Sequence, residues 1–409
     1  MSSNIMNSVD QISLMRELSL ETPSKIVMIV LDGLGGLPSP ETGRTELESA
    51  AVPNLNALAA KCVCGLSDPV MPGITPGSGP GHLGLFGYDP LKFIIGRGIL
   101  EALGIDFELE EGDVAARVNL CTLDDNGVIV DRRAGRINTE KSQQIAALLN
   151  NIEIDGVQVL VEPVKDHRLV AVFRGGGLSD ALSDSDPQRT GSRPLAVFPS
   201  QSSANRTASI VNRFLETAAE IISDFHPANG LLLRGFSKKP SFLSFKEVYK
   251  LNACAIAGYP MYRGLAKVVG MTVLKSGTSL SGQLEILKAN YRQFDFFFFH
   301  IKATDAAGED GNFQRKVSAI EEFDRCLPLI TELNPEVILV TGDHSTPAMM
   351  GSHSWHPVPV MVSGRYCRPD TVREFNETAC CQGGLGRLPA YHLMPLVMAN
   401  ALKLGKYGA

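Results

Sequence analysis

The sequence predicts an α/β core, with a mostly parallel sheet flanked by helices, and an inserted α+β domain. Three short apolar runs, at residues 25–31, 295–301 and 337–340, indicate strands that are buried on both faces. Between residues 105 and 240 the segments are shorter and alternate in polarity, which favours strands linked by hairpins.

These patterns divide the chain of 409 residues, which is long enough to form two domains. We predict an N-terminal extension at residues 1–24, a core built from residues 25–104 and 241–409, and the inserted domain at residues 105–240. Within the inserted domain, the sequence DNG at residues 125–127 indicates a hairpin turn.

The composition excludes several classes of protein. With 44% hydrophobic residues, 20% charged residues and a net charge of -6, the chain is typical of a soluble globular protein. We expect neither a nucleic-acid partner nor a membrane partner, because the chain has no basic excess and no apolar stretch of membrane-spanning length. The N-terminus does not resemble a secretory signal, and the 8 cysteines form no paired C-x-x-C knuckles. These features predict a cytoplasmic protein with reduced thiols and a small-molecule ligand, and they are compatible with an oligomer.

The first predicted strand leads into the first candidate site residues. It ends at Asp32, and the glycines that follow do not have the spacing of a dinucleotide-binding fingerprint. Further on, residues 71–90 are dense in glycine and proline, so the chain must turn repeatedly there. Ser78 stands between two glycines in this segment, which would leave its hydroxyl accessible to a phosphoryl group. A linker is the alternative interpretation, but His82 and the return of apolar residues favour a structured catalytic turn.

The inserted domain is rich in arginine near its turns. Examples are Arg132 and Arg136 in the sequence DRRAGR, and Arg168 in DHR. Single arginines are usually solvated surface groups, whereas several at element ends could clamp phosphate or carboxylate oxygens. The remaining predicted elements are helices at residues 203–224, 276–292 and 313–327, a strand at 358–362 and a helix after residue 389.

A carboxylate stands at the end of each predicted core strand: Asp32, Asp305 and Asp343. If the strands are parallel these ends share one edge of the sheet, where carboxylates repel each other unless cations neutralise them. His344 and His353 follow closely, and mixed carboxylate and imidazole ligands suit Zn, Mn or Fe better than Ca. A solvated loop would explain any one of these residues, but not the cluster. With the Ser78 hydroxyl, the cluster predicts a two-metal enzyme with a serine nucleophile, acting on a phosphate or sulfate ester.

The motifs around these residues carry a specific resemblance. They are Asp32-Gly33, GSGPGHLGLFGYDP around Ser78, DRRAGR, GYPMYRGLAKVVGM, HIKATD, TGDHSTP and HSWHPVP. In kind and in order they resemble the archaeal-type branch of the cofactor-independent (2,3-bisphosphoglycerate-independent) phosphoglycerate mutases, which belong to the alkaline phosphatase superfamily. The resemblance runs from residue 25 to the C-terminus.

The resemblance implies an alkaline phosphatase-like core with an inserted cap domain, and interconversion of 3-phosphoglycerate and 2-phosphoglycerate without bisphosphoglycerate. It implies two divalent metal ions, with Mn first and Zn, Co or Mg as alternatives. One ion would be bound by Asp32, Ser78, Asp343 and His344, and the other by Asp305 and His353, with Ser78 as the nucleophile that forms a phosphoserine. His356 is left out, because His353 has the matching offset in HSWHPVP. The implied substrate contacts are His82, Arg132, Arg136, Arg234, Arg263 and Lys267.

The chain departs from the family pattern at Glu309, where that pattern has a histidine metal ligand four residues after Asp305. A carboxylate can still bind Mn or Zn, with a preference for harder ions. Alternatively Asp310 takes this place, or the second metal site is weakened. Two other functions therefore stay open beside the mutase. One is a metal-dependent phosphatase, or a phosphotransferase like homoserine kinase, on another small phosphorylated substrate; the other is a binding protein without catalytic activity.

Overall fold

A computed structural model describes residues 10–241 and 243–408 of the chain. Its strands are β1 (Ile26–Leu31), β2 (Val63–Asp68), β3 (Val114–Leu123), β4 (Ile129–Asp131), β5 (Ile152–Ile154), β6 (Val157–Lys165), β7 (Arg168–Arg174), β8 (Gly230–Ser237), β9 (Ala253–Ile256), β10 (Thr272–Leu274), β11 (Phe296–Ile301), β12 (Val337–Thr341), β13 (Val358–Gly364) and β14 (Gly386–Pro389). Its α-helices are α1 (Gln11–Leu18), α2 (Glu46–Ser49), α3 (Pro53–Ala59), α4 (Ser78–Leu85), α5 (Arg97–Gly104), α6 (Thr139–Leu149), α7 (Asn205–Ile222), α8 (Phe245–Tyr249), α9 (Pro260–Val268), α10 (Leu280–Asn290), α11 (Ala303–Glu309), α12 (Phe313–Thr331), α13 (Glu377–Cys380) and α14 (Leu393–Asn400).

The chain divides into two compact units, Met1–Ile94 with Phe242–Ala409, and Ile95–Ser241. The second unit begins at residue 95, not at 105, because helix α5 packs directly on strand β3. A side chain on Gly98 of this helix would place its Cβ only 2.1 Å from the carbonyl oxygen of Ala115. Glycine at that position therefore allows the helix to lie against the strand backbone.

The N-terminal segment was predicted as an extension over residues 1–24, and its first nine residues lie outside the described part of the chain. The next residues fold with the first unit, since Gln11–Leu18 forms helix α1 and buries Ile12 and Met15. The side chain of Gln11 also donates a hydrogen bond of 2.6 Å to the carbonyl oxygen of Tyr391.

The described residues of the first unit form an eight-stranded sheet with the order β10-β9-β11-β1-β12-β13-β2-β14. Strand β13 is antiparallel to both of its neighbours, and the other neighbouring strands are parallel. The apolar run of β1 is buried along its whole length because helices cover both faces of the sheet. The predicted α/β fold class with a mostly parallel sheet is confirmed, and strands β1, β11 and β12 lie side by side at its centre.

The second unit is built on an antiparallel sheet with the order β4-β3-β7-β6-β5, in which β8 also pairs with β3. One face packs against helices α6 and α7 and carries the apolar core, for example Val118, Leu169 and Phe214. Residues of β3 that alternate with this core point to the opposite face, where Arg117 and Asn119 lie. Among the described residues of the chain, no helix has the length and apolar character needed to cross a membrane.

A buried carboxylate joins two helices of the first unit. Asp324 of α12 is fully buried and accepts hydrogen bonds from the backbone amides of Asn54 (3.2 Å) and Leu55 (2.7 Å) at the start of α3. Val52, the residue that precedes α3, provides no side-chain cap. Asp324 therefore caps α3 from a distant part of the chain.

We predict that Asp324→Ala lowers the free energy of unfolding by about 2–3 kcal/mol, because buried amides lose a charged acceptor. Urea unfolding followed by circular dichroism measures this loss. The matched control is Glu322→Ala, an exposed acidic residue on the same helix, which should change stability by less than about 0.5 kcal/mol. Equal stability of the two variants would contradict the capping role.

Candidate active site

The first group of candidate metal ligands lies at the carboxyl ends of β1 and β12. Asp32 follows β1, Asp343 and His344 follow β12, and all three side chains are fully buried. Nε2 of His344 lies 3.3 Å from Oδ1 of Asp32 and 3.1 Å from Oδ2 of Asp343. The backbone amide of Gly33 donates to Oδ1 of Asp343 at 3.1 Å, which fixes the position of this carboxylate. The ligands are thus brought together from residues that are hundreds of positions apart in sequence.

Ser78 joins this group from the N-terminus of helix α4. Its Oγ lies 3.3 Å from Nε2 of His344, and the residue is 8% exposed. The helix approaches the end of β12 closely, since a Cβ on Gly81 would lie 2.3 Å from the carbonyl oxygen of Asp343. The glycines of this segment therefore allow the serine to reach the ligands. A helix N-terminus also stabilises negative charge, which suits a serine that receives a phosphoryl group.

The second group consists of Asp305, His344 and His353. The rings of His344 and His353 are stacked with their centroids 3.7 Å apart, and Nε2 of His353 lies 3.7 Å from Oδ1 of Asp305. Nδ1 of His353 is 2.9 Å from the carbonyl oxygen of Pro76 and donates to it, which leaves Nε2 free to bind a metal. His344 belongs to both groups, whereas the family resemblance implied that it binds only the ion held with Ser78.

Glu309 lies at the margin of the second group. Its Oε1 is 3.8 Å from Nε2 of His353, and its side chain is 54% exposed. It is not one of the three residues whose ligand atoms lie within 4.8 Å of one another. Asp310, the alternative ligand, pairs instead with Arg315 at 2.8 Å.

One lysine, which the sequence did not indicate as a site residue, contacts a carboxylate of each group. Nζ of Lys302 donates to Oδ2 of Asp32 at 3.1 Å, to the hydroxyl oxygen of Tyr262 at 2.9 Å and to Oδ2 of Asp305. Burial raises the pKa of Asp32, but Lys302 and a hydrogen bond with His300 outweigh it and hold that pKa well below the ordinary value. Burial lowers the pKa of Lys302, but Asp32, Tyr262 and Asp305 together outweigh it and raise that pKa well above its usual value.

Three histidines in and behind the first group differ in electrostatic environment. Burial lowers the pKa of His344, more than Asp343 raises it, so its imidazole is neutral and can bind a metal. Burial likewise lowers the pKa of His300, which stacks on Tyr262 with ring centroids 3.8 Å apart. For His82, burial is outweighed by Asp343, which raises the pKa of the imidazole.

His82 was predicted to contact the substrate, but its side chain is fully buried. Its Nδ1 lies 3.1 Å from Oδ2 of Asp343 and 2.8 Å from the carbonyl oxygen of Ser78. The residue therefore lies behind the ligands and supports them. His300 and Lys302 occupy comparable positions, and their place in the motif HIKATD beside Asp305 was the available sequence signal.

The residues of the first group fit a metal cation. Oδ1 of Asp32 and Oδ2 of Asp343 are buried and have no hydrogen-bond partner among the described residues. Two carboxylates that are buried together, as Asp32 and Asp343 are, are unfavourable unless a positive charge compensates them. A divalent ion with oxygen and imidazole ligands would provide that compensation.

The predicted arginines of the second unit lie on and beside the polar face of its sheet. Across the antiparallel pairs Arg117 faces Arg234, and Asn119 faces Arg168, so these four residues share one face. Their counter-charges are acidic residues, since Glu101 lies 3.7 Å from Arg117, and Arg234 lies within 3.7 Å of both Asp184 and Asp186. Arg132 forms a bidentate pair with Asp186, Arg136 is exposed, and Arg263 and Lys267 are half-buried on helix α9 of the first unit.

Comparison with known proteins identifies the family. A model of the 2,3-bisphosphoglycerate-independent phosphoglycerate mutases matches residues 59–229. A probable enzyme of that name from Thermus thermophilus is 51% identical over 406 residues, covering 98% of this chain and all of the relative. The chain belongs to this mutase family. The predicted resemblance is therefore confirmed.

Further relatives agree with membership of the mutase family. A probable mutase from Deinococcus radiodurans is 49% identical over 408 residues, covering 98% of this chain and all of the relative. The solved cofactor-independent phosphoglycerate mutase from Thermoplasma acidophilum is 34% identical with a TM-score of 0.69, covering 92% of this chain and all of that one. A solved Pyrococcus horikoshii protein is 29% identical with a TM-score of 0.82, covering 95% of this chain and all of that one.

The shared position of His344 leads to a prediction for this member of the mutase family. We expect the protein to bind two divalent metal ions, one for each ligand group. Asp343→Asn should weaken one site and Asp305→Asn the other, whereas His344→Ala should weaken both, because it removes the Nε2 ligand of the first site and the ring that stacks on His353. Each loss should exceed about 100-fold, since changing residues that only contact ligands already costs about 10–100-fold.

Equilibrium dialysis with metal analysis measures the number of bound ions. The control is Asp310→Asn, an exposed carboxylate with its own partner, Arg315, which should bind like the unmodified protein. Retention of both ions by His344→Ala would contradict this role of His344 in both groups.

Proposed function

We propose that the protein interconverts 3-phosphoglycerate and 2-phosphoglycerate through a phosphoserine on Ser78. The position of Ser78 Oγ, 3.3 Å from His344 Nε2 at a helix N-terminus, is the observation that carries the proposal. Membership of the mutase family supports the substrate, because the relatives are named for this reaction.

The reaction needs two transfers of the same phosphoryl group. In the first, Ser78 Oγ forms a bond to phosphorus while the bond from phosphorus to the glycerate oxygen breaks, and the serine proton leaves with the glycerate alkoxide. In the second, the other glycerate hydroxyl attacks the phosphoserine, and Ser78 takes up a proton again. Atoms and charge balance over the cycle without bisphosphoglycerate.

Two divalent ions, held by the two ligand groups, would supply positive charge that lowers the pKa of the serine hydroxyl and stabilises the transferring phosphoryl group. The surrounding residues influence the charge and the position of the candidate ligands. Lys302 favours the ionised form of Asp32 and donates a hydrogen bond to Asp305, and His82 lies 3.1 Å from Asp343. Burial favours the neutral form of His344, and because its Nδ1–H donates to Thr346, Nε2 carries the lone pair.

Recognition of the anionic substrate is assigned to cationic side chains. We propose that Arg132, Arg136 and Arg234 of the second unit, with Arg263 and Lys267 of the first, contact its phosphate and carboxylate. Nε of Arg234 is buried and makes no hydrogen bond within the described residues, so a donor is available for an anion. Arginine suits this task because its planar group forms paired hydrogen bonds to carboxylate or phosphate.

The proposed metal is Mn²⁺, with Zn²⁺, Co²⁺ or Mg²⁺ as alternatives. Both groups mix carboxylate with imidazole, and the nearby carboxylate of Glu309 adds a hard oxygen donor. A cytoplasmic location is also proposed. All eight cysteines are free thiols, as expected in a reducing compartment.

We predict that Ser78→Ala lowers mutase activity by at least about 1,000-fold, because phosphoryl transfer loses its nucleophile. Conversion of 3-phosphoglycerate with Mn²⁺ present measures the loss, and intact mass spectrometry tests for the phosphoserine. The control is Ser67→Ala, a fully buried serine on β2, which should stay active. An active Ser78→Ala enzyme would rule out the nucleophile, and phosphate release faster than mutase turnover would favour a phosphatase.

For the arginine face, Arg234→Met should raise the KM for 3-phosphoglycerate about 10–100-fold, which corresponds to the loss of one charge-assisted hydrogen-bonding group. Steady-state kinetics in both directions measure KM and kcat. Arg213→Met is the control, since Arg213 is an exposed arginine of the same unit that pairs with Asp155. An unchanged KM in Arg234→Met would remove this residue from the proposed substrate contacts.

A further inference from the structure

One fully buried lysine contacts the loops that carry the candidate metal ligands, and the proposed chemistry does not use it. Lys316 is on helix α12, and its Nζ donates hydrogen bonds of 2.9 Å each to the carbonyl oxygens of Gly35 and Thr346. Lysine is almost never fully buried without compensating partners. These two carbonyls belong to different loops, one after β1 and one after β12, and each of these loops carries proposed ligands.

Two glutamates from other helices, Glu46 fully buried and Glu377 half-buried, hold the same loops. Glu46 of α2 accepts a hydrogen bond of 2.6 Å from the backbone amide of Ala348, and Glu377 of α13 accepts one of 2.9 Å from that of Gly36. Burial lowers the pKa of Lys316, and Glu46 and Glu377 oppose this effect. A positive side chain thus binds the loop carbonyls while negative side chains bind the loop amides.

Thr346 connects this cluster with both groups of ligands. Its Oγ1 lies 2.7 Å from Oδ1 of Asp305 and 2.9 Å from Nδ1 of His344. A hydroxyl has one proton and an ionised carboxylate only accepts, so Thr346 donates to Asp305 and accepts from His344 Nδ1–H. This arrangement leaves the lone pair of His344 on Nε2, the atom that faces Asp32 and Asp343.

The position of Thr346 depends on its backbone. The amide of Thr346 lies 3.0 Å from the carbonyl oxygen of Gly35, and Lys316 binds both carbonyl oxygens of this pair. The space is tight, because a Cβ on Gly33 would lie 2.5 Å from Oγ1 of Thr346. A displacement of the Thr346 backbone would therefore move the hydroxyl away from His344 or Asp305.

We propose that Lys316 is a positioning residue for metal binding: by holding the Gly35 and Thr346 carbonyls it keeps the Thr346 hydroxyl between His344 and Asp305. Through this hydroxyl, one lysine orients ligands of both groups. The inference rests on the proposed metal-dependent function and assigns a role to residues that do not themselves bind the ions.

A second buried lysine provides a matched control. Lys403 is fully buried in the same unit, and its Nζ donates to the carbonyl oxygen of Thr22 at 2.7 Å and lies 3.5 Å from Oδ2 of Asp295. Asp295 precedes strand β11, whereas Asp305 follows it. Lys403 therefore lies near the amino ends of the strands, and the candidate ligands lie at the carboxyl ends. Replacement of either lysine removes a buried charge, but only Lys316 contacts the loops that carry the ligands.

The experiment compares Lys316→Met with Lys403→Met in the full chain. Electron paramagnetic resonance of free Mn²⁺ measures the number and the affinity of the bound ions, and urea unfolding without metal measures stability. We expect both variants to lose stability, but only Lys316→Met to bind Mn²⁺ more weakly. The expected loss is about 10–100-fold at both sites, the range for residues that orient metal ligands.

Two further variants test the hydroxyl without removing a buried charge. Thr346→Val keeps the shape of the side chain and should weaken Mn²⁺ binding about 10–100-fold at both sites, whereas Thr346→Ser should restore it. If Lys316→Met does not fold, this pair decides: equal binding by Val and Ser would overturn the inference. Unchanged Mn²⁺ affinity in a folded Lys316→Met protein would also overturn it. If the unmodified protein binds neither Mn²⁺ nor Zn²⁺, Co²⁺ or Mg²⁺, the proposed function itself fails, and this inference fails with it.

Discussion

The structure of the first unit depends on one electrostatic constraint, the burial of three carboxylates at one edge of a parallel sheet. Asp32, Asp305 and Asp343 have no solvent exposure, and two of their oxygens have no hydrogen-bond partner among the described residues. Such charges repel each other and are stable only beside cations. Lys302 supplies one positive charge between two of them. The proposed metal ions would compensate the remaining charge, so metal binding would be coupled to the folding of this edge.

Bringing these groups together also requires unusually close backbone contacts. At Gly33 the backbone has a positive φ of 66°, and a Cβ would lie 2.5 Å from the Thr346 hydroxyl. At Gly81, a Cβ would lie 2.3 Å from the carbonyl oxygen of Asp343. The glycine-rich motifs around Asp32 and Ser78 are therefore explained by space and by backbone conformation. Ser78 reaches the candidate ligands because Gly81 has no side chain at the point where helix α4 meets the end of β12.

The central strands and their acidic ends were predictable, because a fully buried parallel strand is an apolar run and its end is abrupt. Residues 25–31, for example, correspond to Ile26–Leu31. Contacts between distant segments were not predictable in this way. Lys316 lies in an ordinary amphipathic helix, and nothing local distinguishes it from the exposed lysines of other helices. Its burial results from the loops after β1 and β12, which pack on it in the folded chain. The position of His344 in both ligand groups likewise depends on contacts between distant segments.

Glu309 lies where its charge would affect which metal ion the proposed Asp305 site prefers. The Asp305 group brings together Asp305, His344 and His353 with one negative charge among them, and Glu309 lies 3.8 Å from His353 with an exposed side chain. A histidine there would add a neutral donor, whereas glutamate adds a second negative charge at the solvent side. That charge strengthens attraction for any divalent cation, and an oxygen donor favours Mn²⁺ or Mg²⁺ over softer ions. Because His353 is held by Pro76 and His344 by Thr346, the imidazole geometry is fixed without Glu309. We therefore expect substitution at this position to change which ion the proposed site prefers more than whether the site forms.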